Sequence, residues 1–312
     1  MTVRGTLALS YRLPPDGVLR GFICAFWLAA FLVALWGLLR RRWLALLPYS
    51  LALAALFVWW SGIEPRNDRD WAPDVARTLT GTIDGHSVHL TNVRNFDWRS
   101  DSDFTERCEE RTYDLDQLDS LDLINSYWSG PVIAHTLLSF GFSDGRHLTF
   151  SIKIRRRRGD VYWVLSGFLK ENELTIIGAD ERDIVRIRSN ICGEDAQLFS
   201  LQAPAQRARE LFQELVVKVN DLAAGPRFYN TITKNCTTVL YRLPRNLNAT
   251  LPLDWRIIVS GYLPDYAYKN ALLDRHLPLA KLCERGRVNE RARADDQSGD
   301  FSRLIMVGVP GW

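Results

Sequence analysis

Ile133-Ala-His-Thr-Leu-Leu-Ser-Phe-Gly-Phe142, then Asp144-Gly145, then His147-Leu-Thr-Phe-Ser-Ile-Lys-Ile-Arg155 reads as a strand, a turn and a second strand in direct succession. β-branched and aromatic residues recur in both arms, and Asp-Gly favours the positive φ angles of a tight hairpin. The strands are expected near 132 to 142 and 147 to 156, with a third near 160 to 168. Taken as a two-residue turn, Asp144-Gly145 pairs His135 with Ile154 and puts it on the face of Leu137, Phe150 and Ile152. A histidine on an apolar face must meet whatever packs against that face. It is then either a satisfied core residue or a base for a group docked there.

Working outward, a similar Asp84-Gly85 signal predicts strands near 78 to 83 and 86 to 93. Leu115, Leu118, Leu121 and Ile124 stand at helical spacing among Asp114, Asp119 and Asp122, which predicts an amphipathic helix with a solvated acidic face. Downstream, Leu211, Phe212, Leu215, Val216, Val219 and Leu222 form the apolar stripe of a helix from about 205 to 223, closed by Gly225-Pro226. A shorter helix begins at Asn235 or Cys236 and is expected to end before Pro244. Arg285 to Asp300 is charged and reads as an exposed connection. Strand hairpins alternating with amphipathic helices make the class α+β.

The amino-terminal end is different. The uncharged runs between Arg20 and Arg40 and between Arg42 and Glu64 each match the roughly 20 residues needed to cross a bilayer. Trp43, Trp59 and Trp60 stand where interfacial anchors would. The organisation is therefore a tail at 1–20, a two-helix transmembrane hairpin at 21–63, a linker at 64–77 and a main domain at 78–312. Arg40, Arg41 and Arg42 fill the short loop, and the positive-inside tendency places that loop in the cytoplasm and the main domain outside it.

The 312 residues carry 39 basic and 36 acidic side chains, a net charge of +3, with 47% hydrophobic residues. Disorder, low complexity and a nucleic-acid footprint are all disfavoured by that balance. Five cysteines without a Cys-x-x-Cys pair give neither a zinc site nor a disulfide framework, although Cys108, Cys192 and Cys283 would allow one bridge in an oxidising compartment. His86 and His89 differ by three along a strand, so they point to opposite faces and cannot share a metal. No metal set and no cofactor fingerprint emerges. Arg155 to Arg158 is a solvated strand end or a contact for anionic headgroups.

Chemistry concentrates in Phe228-Tyr-Asn-Thr-Ile-Thr-Lys-Asn-Cys-Thr-Thr-Val-Leu-Tyr-Arg-Leu243. Cys236 falls at a helix start, where free amides and the helix dipole stabilise a thiolate and could hold an oxyanion. Asn235 suits the cap. A free cysteine is as often a small core residue, so Cys236 needs a base, and His135 is the candidate.

Together Asn92-Val-Arg-Asn-Phe96, Ser129-Gly-Pro-Val-Ile-Ala-His-Thr136 with Ser139-Phe-Gly-Phe142, Asp180-Glu-Arg-Asp183, and Phe228-Tyr-Asn-Thr231 with Asn235-Cys-Thr-Thr238 resemble the amino-terminal periplasmic domain of the lipoprotein intramolecular transacylase family, Lnb, over roughly residues 85 to 310. The resemblance implies a papain-like fold, circularly permuted so that histidine precedes cysteine, on the outer face of a bacterial cytoplasmic membrane. It implies acyl transfer or hydrolysis on a lipid or lipoprotein ester, with Cys236 matching the Asn-Cys motif and His135 the Ala-His motif. Lys153 stands where an acidic residue is usual. A cell-wall cysteine peptidase acting on peptidoglycan and a non-enzymatic envelope sensor or assembly factor remain the alternatives. The implied partners are membrane lipid and a lipoprotein or peptidoglycan substrate, with no nucleic acid and no cofactor.

Overall fold

The computed structural model describes residues 2–13, 17–160, 164–246, 251–294, 296 and 299–312. They form two compact units, Met1–Arg66 with Val161–Asn172, and Asn67–Asp160 with Glu173–Trp312. In the first, α1 (Thr2–Arg12) precedes the apolar helices α2 (Gly17–Leu39) and α3 (Leu47–Ser61). The segments Gly17–Leu39 and Trp43–Ser61 are both long and apolar enough to cross a membrane. The expected tail thus contains a helix. It packs on α2 because Gly5 leaves room for the Trp27 ring, whose indole N–H donates to the Thr2 carbonyl at 3.2 Å. Of the strand expected near 160 to 168, residues 161–163 lie outside the described residues, and Val164–Phe168 is a short 3-10 helix instead. Just after it, the Lys170 ammonium donates to the carbonyls of Trp60 and Ile63 at the end of α3.

The second unit opens with α4 (Pro73–Ala76), β1 (Thr80–Asp84) and β2 (Ser87–Arg94). A small ribbon of β3 (Asp97–Trp98) and β4 (Phe104–Thr105) follows, then β5 (Cys108–Asp114), β6 (Leu118–Ser129), β7 (Ile133–Phe142), β8 (His147–Arg155) and β9 (Glu173–Ala179). Next come α5 (Glu181–Ile184), β10 (Asp195–Ser200), α6 (Ala205–Ala224) and α7 (Cys236–Asn246), and the chain closes with α8 (Leu263–Lys269), α9 (Leu279–Gly286), α10 (Asn289–Ala294) and α11 (Phe301–Met306). Eight strands make one sheet in the order β1-β2-β9-β8-β7-β6-β10, with β5 also on β2. The sheet is mixed rather than antiparallel throughout, because β2 and β9 run parallel at Arg94 and Ala179.

Both faces of the sheet are covered. On one, Phe212 of α6 meets Phe140, Phe142 and Phe150 edge-on at 5.1 to 6.0 Å, and Val239, Leu240 and Leu243 of α7 extend the same core. On the other, Ile124, Leu137, Ile177 and Leu198 pack with Ile184, Val288, Phe301 and Ile305.

Coverage of both faces explains the main departure from the sequence reading. The expected amphipathic helix at 115 to 124 is a 3-10 turn, Leu115–Gln117, running into β6. Leu121 and Leu123 enter one core and Ile124 the other, so spacing of three arose from a strand buried on both sides. Asp122 is accordingly fully buried instead of solvated. The first hairpin turns one residue later than expected, with Asp84 opposite Ser87. Two apolar residues one helical turn apart, Val288 and Ala292, seat residues 285–294 in the second core, so that stretch is not an exposed connection; residues 295, 297 and 298 lie outside the described residues. The linker is fixed from Asn67, whose amide donates to the carbonyls of Leu222 and Ala223. Helix α6 ends at Gly225 as expected, but α7 continues through Pro244, which removes only one amide from its last turns.

The β7–β8 hairpin shifts by one residue. Phe142 N–H bonds to the Arg146 carbonyl at 2.9 Å, enclosing three residues, Ser143, Asp144 and Gly145, with Gly145 at φ 85°. Ser143 is drawn out of the pairing by the Gln117 carbonyl, 2.8 Å from its N–H. Leu137 therefore faces Ser151, and Leu138 faces Phe150.

A buried ion pair joins β2 to α5. Arg94 donates through Nε and Nη2 to the two oxygens of Asp183 at 2.8 and 2.7 Å, and the Phe96 N–H and Trp98 indole complete the carboxylate. Two of the stretches singled out in the sequence, 92 to 96 and 180 to 183, thus meet each other and have a structural role. Asp183→Ala would leave the Arg94 guanidinium buried and unpaired, a loss of about 3 to 5 kcal/mol. The urea midpoint is expected to fall by that loss divided by the m-value, with Asp183→Asn intermediate; an unchanged midpoint would refute the role.

Candidate active site

Helix α7 begins at Cys236 because Asn235 caps it. The Asn235 Oδ1 accepts the Thr238 N–H at 2.8 Å and both threonine hydroxyls, from Thr237 at 3.0 Å and Thr238 at 2.8 Å. In return the Thr238 hydroxyl accepts the Asn235 N–H at 2.9 Å. This reciprocal cap is a capping box with threonine at its third position. The Asn235 amide nitrogen also donates to Thr231, holding the preceding loop. Asn-Cys-Thr-Thr is therefore a complete local instruction for starting a helix at the cysteine.

Cys236 is 8% exposed and belongs to the core cluster beneath α6 and α7. Burial pushes its thiol up from the ordinary cysteine value, and backbone hydrogen bonds from Thr136, Thr237 and Cys236 itself oppose that shift, with the Arg188 charge adding to them. The expected lowering of the thiol at a helix start is not realised, because desolvation outweighs the amides. The opposing contribution of Thr136 comes from the strand that carries His135.

His135 looks the other way. Its cross-strand neighbour on β6 is Ser126, and its Nε2 is 2.8 Å from the Ser151 hydroxyl on β8. The one-residue shift of the hairpin is the cause: His135 shares a face with Leu137 and Ser151, while Phe150 and Ile152 lie on the α7 face with Cys236. Around it Ser126 donates to Glu194, Glu194 pairs with Arg188 at 2.9 Å, and Lys153 pairs with Asp74 at 3.2 Å. Burial first, then the Arg188 and Lys153 charges, hold the imidazole well below its usual range, so it is neutral at pH 7. Lys153 is itself lowered to about 8 by burial despite Asp74. Cys236 directly follows the capping Asn235, whereas His135 stands on the opposite face of the sheet.

The family model for the Lnb N-terminal periplasmic domain matches residues 104–261, half of the chain. The chain belongs to that family. No curated protein and no solved structure matches it. The Lnb domain match is shorter than the resemblance read over 85 to 310: it runs from β4 to just before α8, includes His135, Asn235 and Cys236, and leaves Arg94 and Asp74 outside. Together with the two apolar helices, membership fits a membrane-anchored envelope protein with a periplasmic domain.

All five cysteines are free, including Cys108, Cys192 and Cys283. Among the described residues no group of three His, Cys, Asp or Glu side chains is set to hold a metal. Each arginine of the run Arg155–Arg158 has a partner within the protein. Arg155 is spent on the carbonyls of Val75 and Ala76, Asn67 and the Trp71 ring, and Arg156, Arg157 and Arg158 face Asp74, Asp160 and Asp70.

Within the family match lies a carboxylate pair that the sequence reading missed, Asp122 on β6 and Glu181 on α5, both fully buried. Ser139 donates to Glu181 at 2.5 Å and Ser120 to Asp122 at 2.9 Å. Read as a strand, Ser120, Asp122 and Ile124 share one face, which was the available signal. Burial and then the Glu181 charge push Asp122 up to about 7. Its unfolded value is about 3.9. Between these limits the folded state binds the extra proton, so stability is lost as pH rises from about 4 to 7, at up to ~1.4 kcal/mol per pH unit. Asp122→Asn, which keeps an acceptor for Ser120, is expected to flatten the fall in urea midpoint between pH 5 and 8 and to be the more stable form at pH 8. A parallel pair of curves would refute this.

Proposed function

We propose that this protein is a thiol-dependent acyltransferase or hydrolase of the bacterial cytoplasmic membrane, acting on a lipid or lipoprotein ester, with a papain-like site in which histidine precedes cysteine. The observation that carries the reading is a buried cysteine at the first position of a helix whose start is capped by Asn235. In the proposed reaction the Cys236 sulfur attacks the ester carbonyl and its proton leaves to His135. The carbonyl oxygen becomes an oxyanion among N–H donors, and the alcohol departs with the proton, leaving a thioester. An amine or water then takes the acyl group and the thiol is restored.

The ground state in this scheme is a neutral thiol and a neutral imidazole, not a preformed ion pair, given the opposite directions of the two shifts. Because His135 is bonded to Ser151 on the face away from Cys236, the His135 end of β7 must itself turn for the proton to pass. Cross-strand pairing of β7 with β8 stops at Leu137 and Ser151, so the His135 end of β7 is held on one side only.

The same placement of His135 favours a second reading, an envelope sensor or assembly factor that keeps the fold without turnover. An electrophilic acyl-chain probe applied to membranes separates the two. The enzymatic reading expects labelling at Cys236, its loss in Cys236→Ser, and a drop of about 100-fold or more in folded His135→Ala. Labelling of Cys236 no faster than that of Cys108, Cys192 or Cys283 would leave the non-enzymatic reading.

A further inference from the structure

A cavity of about 230 Å³ opens between α6 and α7. A single water needs roughly 10 to 15 Å³, so the space is large enough for a substantial ligand. Its floor is apolar, formed by Leu174 at the start of β9 and by Val239 and Leu243 of α7. Its rim is basic: Lys218 comes from α6, Arg227 and Lys234 from the loop between the helices, and Arg242 from α7. Two acids also line it, Glu214 and Asp221, and Asp221 lies 3.9 Å from Lys218. Among the described residues no acid lies within salt-bridge distance of Arg227, Lys234 or Arg242.

The local chain geometry assembles these charges. Glu214, Val217, Lys218 and Asp221 recur at helical spacing and share one side of α6. Arg227 is held by its own backbone, whose carbonyl accepts the Leu174 N–H at 2.7 Å. Lys234 is fixed just before the capped start of α7 by a two-way backbone pairing with Asn230. Like charges gathered around a partly dry cavity repel one another. Lys234 registers this, since burial and then Arg227, Arg242 and Lys218 all lower its ammonium below the ordinary lysine range. An anion entering the cavity would relieve that repulsion and gain charge-assisted hydrogen bonds.

We propose that this cavity is a binding site for a phosphate-bearing ligand, with Arg227, Lys234 and Arg242 holding the phosphate and Leu174, Val239 and Leu243 receiving an attached hydrocarbon. A phospholipid headgroup with the upper part of its acyl chain presents both features. Free phosphate presents only the first. Val239 follows Cys236 by three residues, about 4.5 Å along the helix axis, so a ligand on this floor lies one turn from the sulfur. The site is defined by its own charges and stands whether or not Cys236 reacts.

The test uses the full chain in neutral-detergent micelles, titrated separately with dihexanoyl phosphatidylglycerol, dihexanoyl phosphatidylcholine and inorganic phosphate. Calorimetry reads affinity, and mass spectrometry reads protection of Lys234 from an amine-acylating reagent. The anionic lipid is expected to bind at least about tenfold more tightly to wild type than to the Arg227→Ala/Arg242→Ala variant. It should also protect Lys234, and both effects should shrink as salt is raised. Arg227 and Arg242 are exposed, so the variant should fold, which an unchanged melting temperature verifies. Phosphatidylglycerol binding more tightly than inorganic phosphate assigns the site to a lipid headgroup, and equal affinities assign it to a free anion. Cys236→Ser should bind like wild type, which separates this site from the fate of the thiol chemistry. No anion binding to wild type beyond that of the arginine variant would overturn the proposal.

Discussion

Phe142 and Arg146 close a three-residue turn, and from that closure every side chain of β7 and β8 inherits its side of the sheet. A strand has a period of two, so adding one residue to a turn exchanges the two faces of one arm relative to the other. With Ser143 bonded to the Gln117 carbonyl, the larger turn is fixed from outside the hairpin. The aromatic residues Phe140, Phe142 and Phe150 then line up on one side to receive Phe212. The other side takes His135, Ser139, Thr149 and Ser151, a polar stripe at the centre of the sheet. The apolar core and the polar stripe are consequences of the same turn.

Such a stripe is costly to bury unless each group has a partner, and the helices over that face are chosen accordingly. Short α5 delivers Glu181 to Ser139 and Asp183 to Arg94, and the π-helical turn Ile187–Ile191 delivers Arg188 to Glu194. Buried ion pairs add little net stability compared with apolar packing, but removing one partner is severe. They therefore act as fasteners between segments far apart in sequence. Arg94 with Asp183 ties the edge hairpin to the end of β9, and Lys153 with Asp74 ties β8 to α4.

Local signals were legible where one principle acted alone. The stripe of α6, its glycine stop, the Asn235 cap and the presence of both hairpins, though not their registers, could be read because spacing, capping and turn chemistry are short-range. Reading failed where distant parts of the chain decided the outcome. Leu115, Leu118, Leu121 and Ile124 have the spacing of a helix, yet Ile124 is apolar because helices far downstream cover that face. Val288 and Ala292 are two small apolar residues among charges, too few to announce a buried helix. For the site, Cys236 and Asn235 were legible as a pair, whereas the side taken by His135 hung on a single residue of turn length. For Asp122 a strand reading gave one signal, the face shared with Ser120 and Ile124, but nothing local couples it to Glu181 so far along the chain.

Chemistry at Cys236 has to be weighed with both of its surroundings in view. Amides and a neighbouring guanidinium favour the thiolate, and enclosure in the α6–α7 core disfavours it, with enclosure the larger effect. In the proposed reaction, enclosure of this kind would be lifted by the same event that brings a carbonyl to the sulfur, since a substrate entering beside α7 must part the apolar groups that exclude water. The N–H donors would remain, because the cap and the strand hold Thr237 and Thr136 in place. A thiol that is quiet when covered and supported when uncovered avoids side reactions in an oxidising compartment, where an activated and exposed cysteine would be lost to oxidation. On the proposed reading, the raised thiol and the capped helix start are one device in its resting state.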